Sequence, residues 1–287
     1  MSQSIADYVC LRTECEASSC GRLPEDAWRR TEKTHRFVDL VTGEPGLYDT
    51  RVAALWNDQA LFVRFDVEEP SVKARYSKRD TLVFTENSVE IVIDGGDCYY
   101  ELAVNALATV YEVFYIWKDA FCRGGHFDTP EFDVLQRDAL TFCGDSDRDP
   151  ATFWRGTHKR GCRWAFLDWD LSGLKVHTSI NGLINDPTHV DCGWMVEIMI
   201  PWSGIRPLAG NRPLPPSPCD EWRIFFGRNE MLSIGGKIVE PNPIWALRPH
   251  GIRDTHRPES FPRVKFAGDQ QDNPLDCDAS RTDKSSS

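Results

Sequence analysis

Apolar and polar residues alternate with a period of two through most of this chain, which predicts strands rather than helices. The clearest stretch is Asn87-Ser88-Val89-Glu90-Ile91-Val92-Ile93-Asp94, with Val89, Ile91 and Ile93 on one face and Glu90, Val92 and Asp94 on the other. Its β-branched residues suit a strand. Gly95-Gly96 predicts a turn, and Tyr99-Tyr100-Glu101-Leu102-Ala103-Val104-Asn105 returns as its hairpin partner. A glutamate inside so apolar a strand is costly unless it is paired or faces a wet cleft. Glu90 is therefore either a structural acid satisfied by backbone donors or a ligand-binding group, with Asn105 the candidate polar group beside it.

The same pattern predicts strands over 37–41, 50–56 and 61–67, with Asn57-Asp58-Gln59 turning between the last two. Further strands are predicted over 109–117, 174–180, 182–184, 194–200, 222–229 and 263–266. Residues 118–163 mix Gly, Asp, Arg and aromatics without periodicity, which predicts a long irregular insertion over one end of the domain. Residues 1–35 read as an irregular lead-in with a helical turn near Trp28, and residues 268–287 as a disordered tail. One domain over 36–267 lies between them. Short strands, frequent turn signals and few amphipathic helices predict an all-β fold, an antiparallel β-sandwich of jelly-roll type.

Composition narrows the partners. Of the 287 residues 41% are hydrophobic, enough for a sizeable core. Lys and Arg number 33 against 44 Asp and Glu, a net charge of −11 with no basic run, so neither nucleic acid nor an anionic membrane is an expected partner. No apolar run of about 18 residues predicts a membrane span. The opening Met1-Ser2-Gln3-Ser4-Ile5-Ala6-Asp7 has neither the basic nor the apolar region of an export signal. A cytoplasmic location and mostly reduced thiols among the ten cysteines are therefore expected. Cys10, Cys15 and Cys20 are spaced by five, which fits no zinc pattern.

An ordered set of short motifs resembles a known family. It runs Thr50-Arg51-Val52, Leu55-Trp56, residues 87–94, Tyr99-Tyr100-Glu101, Val104-Asn105, Gly193-Trp194, Glu197, Ile200-Pro201-Trp202, Trp245, His256-Arg257-Pro258 and Phe261. Over roughly residues 45–266 it resembles family 9 carbohydrate-binding modules and their stand-alone relatives. The resemblance implies a β-sandwich that binds the end of a sugar chain at one end of the fold, without catalysis and often with structural calcium. It also implies a site in which two tryptophans clamp a sugar ring beside polar groups. The first clamp position, six before the strand glutamate, is Phe84 here. The glutamate corresponds to Glu90, and an asparagine on the returning strand to Asn105. An arginine two before that asparagine falls on Ala103, and the second tryptophan falls near Thr255 or His256. Arg228 and His256 are the candidate replacements for the missing donors, and Trp245 is a candidate platform.

Sugars offer apolar C–H faces and a rim of hydroxyls, so their sites combine flat aromatics with acceptors and donors. Ten Trp, seven Tyr and fifteen Phe can furnish both core and platform. Trp56 and Trp202 read as core, while Trp117, Trp154, Trp164 and Trp169 either anchor the insertion or cover the site. The alternative function is a saccharide-active enzyme using Glu90 as general acid or base. A glycosidase needs two carboxylates about 5–9 Å apart, for which Glu90 with Glu101 or Glu112 is the candidate pair, although strand parity alone does not place Glu101 near Glu90. No nucleophile elbow, phosphate loop or zincin motif is present. Met195 and Met199 read as core filler rather than haem ligands. Asp145-Ser146-Asp147-Arg148-Asp149 and Asn185-Asp186 are oxygen-rich enough for calcium, or are solvated acidic turns.

Overall fold

Sixteen strands make up nearly all the regular structure of residues 6–144 and 158–268, those this computed structural model describes. In the first half they are β1 (Tyr8–Arg12), β2 (Val38–Asp39), β3 (Thr50–Trp56), β4 (Ala60–Glu68), β5 (Ser88–Asp94), β6 (Cys98–Asn105), β7 (Val110–Trp117) and β8 (Ala139–Phe142). The second half adds β9 (Arg163–Phe166), β10 (Lys175–Asn181), β11 (Gly193–Pro201), β12 (Glu221–Asn229), β13 (Ser233–Ile234), β14 (Lys237–Ile238), β15 (Ile244–Ala246) and β16 (Arg263–Phe266). The expected tail beyond Gly268, the Asp145–Asp149 stretch and Trp154 lie outside the described residues.

The strands form two leaves. One runs β10-β11-β4-β3; the other runs β16-β12-β5-β6-β7-β9-β8, with β15 and β2 continuing from β12. Val52, Ala54, Val63 and Phe65 of the first leaf meet Val89, Ile91, Ile93, Leu102 and Phe226 of the second in one core. Each of the larger side chains among them contributes about 1.5–3 kcal/mol on burial, which makes this interface the main source of stability. Trp56, Trp169 and Trp202 are in it. The all-β sandwich that the alternation predicts is the observed fold. Among the described residues no helix is long and apolar enough to cross a membrane.

Three regions depart from expectation. The lead-in carries β1, which pairs in parallel with β16 through Tyr8, Val9 and Cys10 and with β3 through Leu11 and Arg12. β1 thus closes the seam between the leaves. The helix Glu25–Arg29 sets Trp28 against Ala53, Leu55 and Phe62, and the indole donates to Glu197 at 3.3 Å. Residues 182–184 are a turn, not a strand, because Asp191 accepts the Leu183 N–H at 2.7 Å and the Val72 N–H at 2.8 Å. The insertion folds back: β8 pairs antiparallel with β9, and Phe127 and Phe132 pack into the core. A Cys143–Cys162 disulfide ties the insertion where it leaves β8. Cys10, Cys15, Cys20, Cys98, Cys122 and Cys192 are free thiols.

Candidate functional site

Polar chemistry collects on the outer face of the second leaf, and the register shows how. Pairing places Tyr111, Ala103, Glu90, Gly227 and Ala246 in one row across β7, β6, β5, β12 and β15. The next row holds Val113, Glu101, Val92 and Phe225. Glu90 therefore stands between Ala103 and Gly227, which leave room on either side of its carboxylate. Gly227 is required: a Cβ there would lie 2.4 Å from the Phe225 ring.

A cavity of about 490 Å³ opens over this face, within the range of small-molecule sites. Glu90 and Glu101 line it on the sheet side, and Phe84, Tyr111, Tyr115 and Phe142 give it aromatic walls. Asn229, Asn242, Arg253, Thr255 and His256 line the remainder. Both carboxylates are buried, Glu90 to 2% exposure and Glu101 to 4%. The Asn229 amide donates to Glu90 at 3.3 Å, and the Tyr115 hydroxyl donates to Glu101 at 2.7 Å. Burial, reinforced by the charges of Glu101 and Glu90, pushes the Tyr111 phenol well above its ordinary range. Burial and Glu101 do the same to Tyr115. Both phenols keep their protons and remain donors.

His256 is neutral, because burial drives its pKa down to about 3. Its ring packs 4.5 Å from Phe142 and 5.2 Å from Tyr115, centre to centre, and its Nδ1 lies 3.3 Å from the Tyr99 hydroxyl. Arg163, stacked 4.1 Å over Trp117, donates to the His256 carbonyl and fixes the loop in place. Phe84 sits in a tight turn, Val83–Thr85, ahead of β5. It is 37% exposed and meets Tyr111 edge-on at 5.1 Å, leaving ring surface open to a ligand.

Three of the six residues singled out from sequence, Phe84, Glu90 and His256, line this cavity. Asn105, Arg228 and Trp245 do not. Asn105 shares the face of Glu90, but its amide is saturated. It donates to Glu86 at 2.7 Å and to the Tyr76 carbonyl at 2.8 Å, and accepts from the Leu107 and Thr109 N–H groups. Arg228 and Trp245 pair with each other across β12 and β15 and point inward. Arg228 donates to Thr50 at 3.0 Å, to the Glu68 carbonyl at 2.9 Å and to Glu230 at 2.6 Å. Glu112 is also on the inner face, where it accepts from Tyr100 and from the Leu171 N–H, so it forms no pair with Glu90.

Asn229, Tyr111 and Tyr115 are the residues that sequence reasoning missed, while Glu101, named only as a possible second carboxylate of the enzyme reading, lines the same cavity as Glu90. Strand parity, once the register is known, carries the signal: Glu101 is two residues from Ala103, which faces Glu90, and Asn229 two from Gly227. Arg253 and Phe142 had no such signal, since one is in a loop and the other in the insertion.

Of the two oxygen-rich stretches considered for calcium, only Asn185-Asp186 lies among the described residues. Asn185 accepts from the Ala74 N–H, and Asp186 accepts from the Thr188 N–H and hydroxyl, so both lock turns. Among the described residues, no group of three or more His, Cys, Asp or Glu is placed to hold a metal ion.

Residues 44–118, which carry β3 to β7 and with them Phe84, Glu90, Glu101, Tyr111 and Tyr115, match the model of carbohydrate-binding family 9. No curated protein matches the chain. A solved protein from Bacteroides uniformis ATCC 8492, provisionally described as carbohydrate-binding, has a TM-score of 0.54 at 14% identity over 90% of this chain and 99% of its own. A family 9 module from Caldicellulosiruptor kristjanssonii, solved with cellotriose and with glucose, has a TM-score of 0.49 and 13% identity in both structures. These cover 92% of this chain and 95% and 97% of the module. The chain is thus similar in sequence to carbohydrate-binding family 9 over residues 44–118, and similar in fold to the Bacteroides protein over nearly all its length.

Proposed function

We propose that the outer-face cavity binds a sugar, or the end of a sugar chain, and does so without catalysis. The observation that carries this reading is Glu90: a buried carboxylate in a cavity walled by aromatics, within the segment that matches carbohydrate-binding family 9. A sugar ring lays its C–H face on Phe84, and its hydroxyls donate to Glu90 and Glu101. Asn229 and the protonated Tyr111 supply donors to ring and hydroxyl oxygens. His256, neutral and engaged at Nδ1 by the Tyr99 hydroxyl, contributes its ring to the wall.

A second reading has its own observation. Glu90 and Glu101 share one cavity, as the two carboxylates of a glycosidase do. Calorimetric titration with mono- and oligosaccharides, alongside a reducing-sugar assay on the same mixtures, separates the two. Binding without product supports the binding protein, with affinity weakened by Glu90→Gln. Product formation that Glu90→Gln abolishes would establish the enzyme.

A further inference from the structure

We propose that the Cys143–Cys162 disulfide is a thiol-sensitive clasp on the outer-face cavity: its reduction frees β8, opens the wall that Phe142 makes, and weakens ligand binding. The ligand rests on the sugar-binding reading, whereas the release of β8 is readable without any ligand. Cys143 follows Phe142 and Cys162 precedes Arg163, and these two neighbours face each other in the β8–β9 register. Both act on the same part of the cavity. Phe142 lines it and packs 4.5 Å from His256 and 5.3 Å from Tyr115, centre to centre. Arg163 donates to the His256 carbonyl. Leu140 and Gly144, on either side of Phe142, line the cavity as well.

Little else holds β8. Among the described strands it pairs with β9 alone, at the edge of its leaf. Ala139 and Phe142 are only half-buried, and Leu140 and Thr141 are exposed. An edge strand that buries so little belongs to the part of a fold that opens most readily. The bond from the Lys118 ammonium to the Thr141 hydroxyl is an exposed one. β9, by contrast, also pairs with β7, and Arg163 is fully buried and stacked on Trp117. Reduction therefore releases the Phe142 side of the wall and leaves the Arg163 side in place. Both cysteines are half-buried, within reach of a dithiol. The dithiol attacks as its thiolate, breaks the S–S bond and forms a mixed disulfide, which its second thiol then displaces. Two electrons and two protons pass to the chain, leaving two thiols, and the reagent ends as its own disulfide. Exchange with that oxidised form closes the clasp again.

The test is calorimetric titration of the full chain with glucose and cellobiose, with and without dithiothreitol, beside amide hydrogen exchange under the same two conditions. We expect reduction to weaken binding about tenfold. It should also speed exchange in β8 while β5 and β6 keep their protection. The double variant Cys143→Ser, Cys162→Ser should bind as weakly as the reduced chain, and dithiothreitol should weaken it no further, which separates this disulfide from every other cysteine. If that variant does not fold, the reductant series on the native chain decides alone. Measurable affinity that reduction leaves unchanged overturns the clasp, as does unchanged exchange in β8. Faster exchange through β5 and β6 as well would make the disulfide a staple of the whole fold, and also overturns it. No sugar binding by the oxidised chain overturns the sugar-binding reading, and exchange in β8 then decides the clasp by itself.

Discussion

Arg228 and Asn229 are neighbours in the chain and both buried, yet they belong to different kinds of site. Arg228 points inward, and its donors go to Thr50, Glu68 and Glu230, with Glu69 at 3.7 Å. Glu69 in turn accepts from Trp194 at 2.7 Å and from Asn87. Asn229 points outward into a cavity of about 490 Å³ and donates to Glu90. Burial alone therefore does not separate structural from functional charge in this protein. The separation lies in what surrounds the group: side chains packed against it, or space shaped for something else.

The largest expected effect falls on the inner cluster. Arg228→Ala leaves Glu69 and Glu230 buried without their cation and should cost about 3–5 kcal/mol of stability, read by urea unfolding. A loss under about 1 kcal/mol would mean the cluster is not structural and would collapse the contrast. On the outer side, Glu90→Gln should weaken sugar binding by roughly 1.5–3 kcal/mol while the folded protein melts close to wild type. The opposite pattern, lower melting with affinity intact, would return Glu90 to the structural class. Asn105→Ala sharpens the boundary within one face. It should cost about 1–3 kcal/mol of stability through four lost hydrogen bonds, and leave sugar affinity per folded molecule unaltered.

Phe84→Ala should cost about 1–3 kcal/mol of binding through lost stacking, and little stability since the ring is already 37% exposed. The smallest effect concerns pH. Burial, only partly offset by Arg228, raises the Glu230 carboxyl to about 7. An acid raised on folding favours the folded state most below its unfolded pKa, and that contribution fades as pH rises toward 7. Glu230→Gln removes the titration, so its melting temperature relative to wild type should rise between pH 5 and pH 8. A difference independent of pH would place Glu230 among ordinary carboxylates.

Much of this arrangement is legible in the chain itself. Strands β3 and β16 begin and end where alternation and turn residues put them, and β5 starts one residue later than expected, because their signals are local. Which face Glu90 takes is legible for the same reason. The misplacement of Arg228 and Trp245 has a physical cause: which face a residue of β12 takes depends on its register with β5, a pairing such as Gly227 with Glu90 that no local pattern encodes. β8 and Phe142 were hidden because the insertion gains its strand only by docking on β9. Glu101 was different. The chain offers it as a second carboxylate beside Glu90, but its place in the same cavity follows from the β5–β6 register, which sets Glu90 opposite Ala103.

Seating β1 must wait on β16. β1 emerges first, yet its partner Val264 lies more than 250 residues from Tyr8. Until β16 exists, β1 can dock only on β3, through two residues at one end. The seam between the leaves is therefore made late, after its first half has stood exposed for most of synthesis. Closing so long a loop is entropically modest, since the cost grows only with the logarithm of length, but contacts this distant slow folding. A chain cut before β16 would carry an unfinished sheet edge, the kind that pairs with a neighbour instead.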